Sequence, residues 1–82
     1  MTTREVLIEA RKLIEKPEDW CHGVASGKCC ALVALKTVVG PHVIGSPAYR
    51  ALRDEVGSIA HFNDTHSHGE ILDLFDRAIE AA

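Results

Sequence analysis

Polar and apolar positions alternate along this chain with helical rather than strand spacing. Val6, Leu7, Ala10, Leu13 and Ile14 fall at i, i+1, i+4, i+7 and i+8, one face of a helix. Thr2 and Glu5 stand three apart before that run, as a capping box requires, and Pro17 pushes Lys16 out of the helical region. The first helix is therefore predicted over 2–16. Cys29 to Leu35 holds no polar residue for nearly two turns, which predicts a buried central helix from Lys28 or Cys29 to Val39. Lys36 and Thr37 emerge at its far end, and Gly40-Pro41 stops it. His42 to Gly45 reads as a linker. Ser46-Pro47 then supplies an N-cap followed by a proline at the first helical position. A third helix is predicted to Val56, with Tyr49, Leu52 and Val56 inward and Gly57 at its end. Ser58 to His66 reads as a loop. Ser67 with Glu70 forms a second capping box, opening a fourth helix to Ala82. Its apolar stripe is Ile71, Leu74, Phe75, Ala78, Ile79 and Ala82.

The predicted fold is all-α: one small four-helix domain spanning residues 1–82, with short connections. Between the first two helices, residues 20–28 leave room for a short extended segment. Trp20, the only tryptophan, reads as a core anchor sealing the end of the bundle. Eighty-two residues suffice for one core and not two, and 46% hydrophobic composition excludes a disordered chain. A fold this small sits near the stability margin, so a homodimer is compatible with it.

Charge narrows the functional classes. The formal net charge is −3, without the clustered Lys and Arg of a basic nucleic-acid binder, so direct nucleic-acid binding is not expected. The distribution is uneven. Lys28, Lys36, Arg50 and Arg53 stand in Gly27–Arg53 with no acid among them. From Asn63 onward, Asp64, Glu70, Asp73, Asp76 and Glu80 face Arg77 alone. That acidic stretch is the candidate partner-binding surface, suited to a protein with a basic groove such as a nucleic-acid enzyme. No apolar run approaches the roughly 20 residues needed to cross a bilayer, so no membrane partner is expected. Three cysteines, an odd number, point to a reducing compartment, and the cytoplasm is the expected location.

Candidate chemistry concentrates in Ile59–Ile71, which holds three of the five histidines. His61, Asn63, Asp64 and His66 form the candidate ligand-binding set of the alternative reading, a small ligand- or metal-binding module. The spacing fits no standard metal site, and Ser67 as a helix cap weakens His68 as a ligand. No metal or cofactor is assigned. The competing structural reading has Asn63 and Asp64 holding the loop through their own backbone, with Asp64 accepting amides at the start of the last helix. Cys21-His22 with Cys29-Cys30 lacks the paired spacing of a structural zinc site. Adjacent helical residues point about 100° apart, so Cys29 and Cys30 do not share a metal or a disulfide. A buried, unreactive thiol is expected for at least one of them. Gly23 to Lys28 is one residue short of a phosphate loop, and Cys29 stands where Ser or Thr would ligate magnesium. No nucleophile is paired with a base and an orienting group, so no catalytic residue is assigned and no enzyme is expected.

Trp20-Cys21-x-Gly23, Cys30-Ala31-Leu32-x-Ala34-Leu35, Phe62-Asn63-Asp64, Ser67-x-x-Glu70-Ile71 and Leu74-Phe75-Asp76-Arg77-Ala78 together resemble a family of small uncharacterised bacterial and phage proteins, a domain of unknown function. The resemblance spans nearly the whole chain. That family usually has Gly where Val33 stands and Trp where Phe62 stands. It implies a helical fold and a link to phages and mobile elements, and it supplies no activity. Together with the acidic stretch it leads to the expectation of a non-enzymatic interaction protein. Its partner would be a host protein or nucleoprotein complex, with inhibitors of CRISPR-type defence as the model: a small chain that blocks a nucleic-acid groove or a subunit contact.

Overall fold

The computed structural model describes residues 1–22 and 30–82. Five α-helices and no strands are found among these residues: α1 Thr3–Leu13, α2 Ala31–Val39, α3 Pro47–Val56, α4 Ile59–Thr65 and α5 His68–Ala81. The all-α class holds, and the expected count of four is corrected to five. The extra helix is α4, in the segment read as a loop. Ser58 caps it, its hydroxyl accepting from the His61 amide at 3.3 Å. Ile59, Phe62 and Asn63 then fall at i, i+3 and i+4 and turn inward together.

The predicted start signals operate as written. Thr2 with Glu5 and Ser67 with Glu70 are complete capping boxes. Ser46 accepts from the Tyr49 amide ahead of Pro47. At α2 the cap is a thiol: Cys30 Sγ accepts from the Val33 amide at 3.4 Å, so the helix starts after Cys30. The stop signals are displaced in one case. α1 ends at Leu13, with Ile14 as its C-cap, while Lys16 takes the extended conformation that Pro17 imposes. A 3-10 turn, Pro17–Asp19, then leads to Trp20. Gly40 and Gly57 close α2 and α3 at φ 102° and 81°, a region that costs side-chain-bearing residues energy. The linker is a second 3-10 turn, Val43–Gly45, which buries Val43 and leaves Ile44 68% exposed.

One core joins all five helices. Leu7, Ala10 and Ile14 of the first arm meet Ala31, Ala34 and Leu35 of α2, Ala48 and Leu52 of α3, Ile59 of α4, and Ile71, Leu74, Phe75 and Ala78 of α5. α1 packs against both α2 and α5. Leu13, assigned inward by its spacing, is 38% exposed: it stands at the edge of the apolar face, whereas Leu7, Ala10 and Ile14 at its centre are fully buried. Tyr49 and Val56 are half-buried rather than buried, and Ala82 lies exposed beyond the end of α5. Trp20 is partly buried against the core, in keeping with an anchor at its edge. Most of the extended segment considered at 20–28, and the predicted helix start at Lys28 or Cys29, lie outside the described residues. No helix among the described residues is long and apolar enough to cross a membrane.

Candidate functional site

The buried polar centre of the molecule is Asn63. It is the one polar residue in the interior among those described, with no exposed surface. α4 delivers it there, because it stands one turn after Ile59 on the face that packs inward. Its Oδ1 accepts from the Trp20 indole Nε1 at 2.7 Å and from the Ala31 backbone amide at 2.9 Å. Its Nδ2 donates to the Cys21 carbonyl at 3.0 Å and, more weakly, to Asp64 Oδ1 at 3.4 Å. An amide side chain offers two lone pairs and two N–H donors, so all four are engaged. Ala31 is the first residue of α2, and its amide is one of the four that a helix start leaves without a partner. Asn63 thus ties the Trp20–Cys21 segment, the start of α2 and α4 to one point.

Histidines extend this centre. His22 Nε2 lies 2.8 Å from the His66 carbonyl, His66 Nδ1 lies 2.9 Å from the Phe62 carbonyl, and His68 Nε2 lies 2.6 Å from the Ile14 carbonyl. A carbonyl only accepts, so each of these nitrogens carries the proton, in the neutral and the charged ring alike. The His66 ring also stacks on Phe62, with centroids 3.8 Å apart. His22 meets the Trp20 ring edge-on at 4.8 Å, and His68 lies 5.4 Å from it. His68 in addition links the start of α5 to the end of α1.

The four nominated ligand residues are therefore not brought together as a set. Asn63 points into the core with its amide fully engaged. His66 lies half-buried on Phe62, while His61 and Asp64 are exposed. Only Asn63 and Asp64 touch side chain to side chain. The structural role expected of Asn63 is present, but its bonds reach across the fold instead of closing a local turn. No group of three His, Cys, Asp or Glu side chains among the described residues is arranged to hold a metal ion. Cys21 is half-buried and Cys30 is a buried free thiol, whereas Cys29 and the sequence compared with a phosphate loop, Gly23 to Lys28, fall outside the described residues.

The five nominated partner-binding carboxylates divide by position. Glu70 is taken up by its capping box: Oε1 accepts from the Ser67 amide and hydroxyl, both at 3.0 Å. The bond from the backbone amide, then that from the hydroxyl, holds its carboxyl below the ordinary value of 4.5. Asp76 pairs with Arg11 Nε at 2.8 Å across the α1–α5 seam, and Arg11 also reaches Glu15 at 3.1 Å. Asp73 meets Arg77 one turn later at a looser 3.6 Å and stays 64% exposed. Glu80 is exposed and makes no ion pair among the described residues. Asp64 stands apart, on α4. Asp73, Asp76 and Glu80, at i, i+3 and i+7, form one stripe on the outward side of α5.

Sequence reasoning missed the Trp20–Asn63–Ala31 junction and the His68–Ile14 bond. A signal for the first was available. Once Ser58 is read as a helix cap, Asn63 falls on the apolar face with Ile59 and Phe62, and a polar residue on such a face needs buried partners. Nothing local points to the second, since its acceptor is a backbone carbonyl 54 residues away. Comparison with protein-family models matches residues 1–81 to a family of unknown function (DUF6197). Comparisons with curated proteins and with solved structures return no match.

Proposed function

We propose that this chain, which belongs to the family of unknown function DUF6197, acts as a non-enzymatic interaction protein that engages its partner through the outward stripe of α5. The observation that carries the reading is the contrast between its two polar regions. The buried centre spends its groups on the fold: Asn63 has no free hydrogen-bonding capacity, and three histidines each hold a backbone carbonyl. The α5 stripe instead presents Asp73 and Glu80 outward, with only the 3.6 Å contact to Arg77 set against them among the described residues. Carboxylates at this spacing suit a basic groove, where they would act first on encounter rate and specificity. Phage-type relatives, as the sequence resemblance implies, make a host nucleoprotein complex the class of partner, and inhibition of a CRISPR-type defence complex is the specific form proposed. The ligand- or metal-binding reading of His61, Asn63, Asp64 and His66 has no comparable support, because its central amide is already engaged.

The test is capture of nucleoprotein complexes from a bacterial host by the wild-type chain and by Asp73→Lys/Glu80→Lys. These two positions are chosen because Asp76 and Glu70 also serve the fold. Salt-sensitive capture of a defined complex, weakened at least tenfold in the double variant, supports the reading. Capture that survives both reversals rejects the α5 stripe as the interface.

A further inference from the structure

An open groove of about 730 Å³ lies among the described residues. Three elements line it: the first turn of α1, the second half of α3, and the last turn of α5. Ala51, Ala78 and Ala81 supply side chains that stop at Cβ, so another surface can approach the backbone closely. Arg4 stands on the α1 side, and Asp54 and Glu55 stand on the α3 side.

The placement of these charges is unusual in two ways. Neither Arg4 nor Glu55 makes an ion pair among the described residues, and Asp54 has only its sequence neighbour Arg53 at 4.0 Å, with 75% of its side chain exposed. Each also carries the sign that its own helix disfavours. Arg4 lies in the first turn of α1, where the helix dipole favours an anion, and Asp54 and Glu55 lie in the last turn of α3, where it favours a cation. Local helix stability therefore does not account for them. Opposite charges on two sides of one groove are self-complementary. A twofold axis running along the groove sets the α1 side of one copy against the α3 side of the other, twice.

We propose that this groove is an isologous dimer interface for a second copy of the chain, in which Arg4 of each protomer pairs with Asp54 and Glu55 of its partner across facing alanine floors. This face is separate from the α5 stripe, so the two readings stand or fall independently.

Sedimentation equilibrium of the full chain tests it, at about 100 µM, where a dimer with a Kd near 10 µM is mostly formed. The wild type is expected to sediment as a dimer. Arg4→Glu alone and Asp54→Lys/Glu55→Lys alone are each expected to be monomers, and an equimolar mixture of the two to form a heterodimer. Both sets of changes place the sign that the helix dipole favours, so neither threatens the fold, and circular dichroism checks this. A monomeric wild type, a dimer that persists in both variants, or a mixture that stays monomeric overturns the proposal.

Discussion

Replacing Asn63 with alanine tests whether one buried amide organises this fold. The substitution leaves the Ala31 amide buried without an acceptor, at a cost of about 1–3 kcal/mol. The Trp20 indole N–H and the Cys21 carbonyl are only partly buried and can recruit water, so each adds about 0.5–1 kcal/mol. The sum is about 2–5 kcal/mol, against a total stability of about 4–12 kcal/mol for a chain of this length. Urea unfolding followed by far-UV circular dichroism reads the loss directly. With a slope of about 1–1.5 kcal/mol/M, the midpoint falls by about 1–5 M, and the weaker end of the stability range leaves the variant largely unfolded in water. Trp20→Phe is the graded comparison. It removes one donor while Asn63 Oδ1 keeps the Ala31 amide, and its expected cost is about 1–2 kcal/mol including lost ring contact. A loss below about 1 kcal/mol for Asn63→Ala would refute the reasoning, since no buried donor could then have been left unsatisfied. So would a Trp20→Phe variant as unstable as Asn63→Ala, which would move the centre of the network from the amide to the indole.

Two further outcomes follow from the helix ends. Gly40 sits at φ 102° and ψ −164°, a conformation essentially restricted to glycine, and a Cβ there would meet nothing within 4 Å. Gly40→Ala is therefore expected to cost about 1–3 kcal/mol from backbone conformation alone, measured as a urea midpoint shift; an unchanged midpoint would show that α2 ends differently. Glu70 has a carboxyl held below its ordinary value of 4.5 by the Ser67 amide and hydroxyl. Its folded value lies below its unfolded one, so the stability it contributes is fully present above about pH 4.5 and is lost as pH falls through the lowered folded value. The difference in urea midpoint between wild type and Glu70→Gln should narrow on going from pH 7 to pH 3, and a difference independent of pH would show that the carboxylate form is not what the capping box requires.

Helix ends were legible in this sequence because they depend on neighbours three or four residues away. Thr2 with Glu5, Ser46 before Pro47, Ser67 with Glu70, and glycines 40 and 57 all act within one turn of themselves. α4 was not legible as a helix, because His61, Asn63, Asp64 and Thr65 have the composition of a turn. Its helical state is supported by burial of Ile59 and Asn63, and burial is decided by partners distant in sequence. The same limit applies to the site. The residue types of the histidine-rich segment were visible, yet the roles of Asn63 and His68 are set by Trp20, Cys21, Ala31 and Ile14, all more than 30 positions upstream. Leu13 failed in the opposite sense: its spacing placed it on the apolar face, but it stands at the edge of that face, where the core no longer covers it.

The division of labour among the acidic residues bears on how α5 could recognise a partner. Five carboxylates were nominated by their place in the sequence, yet Glu70 and Asp76 are committed to a capping box and to Arg11. Arg11 is only 24% exposed and its Nε is buried, so handing Asp76 to a basic residue of a partner would leave that nitrogen without its carboxylate. Such an exchange also gains little, since one pair is lost for each one made. Glu80 has no ion pair to give up among the described residues, and Asp73 gives up a contact of 3.6 Å. The favourable electrostatic difference on binding is therefore concentrated at these two positions. Both are exposed, so salt screens them over about 8 Å at physiological ionic strength, and their effect falls mainly on the rate of encounter. Reversal at Asp73 and Glu80 should slow association with a basic partner far more than it speeds dissociation, whereas reversal at Asp76 sets a lysine against Arg11 and acts on the α1–α5 seam of the protein itself.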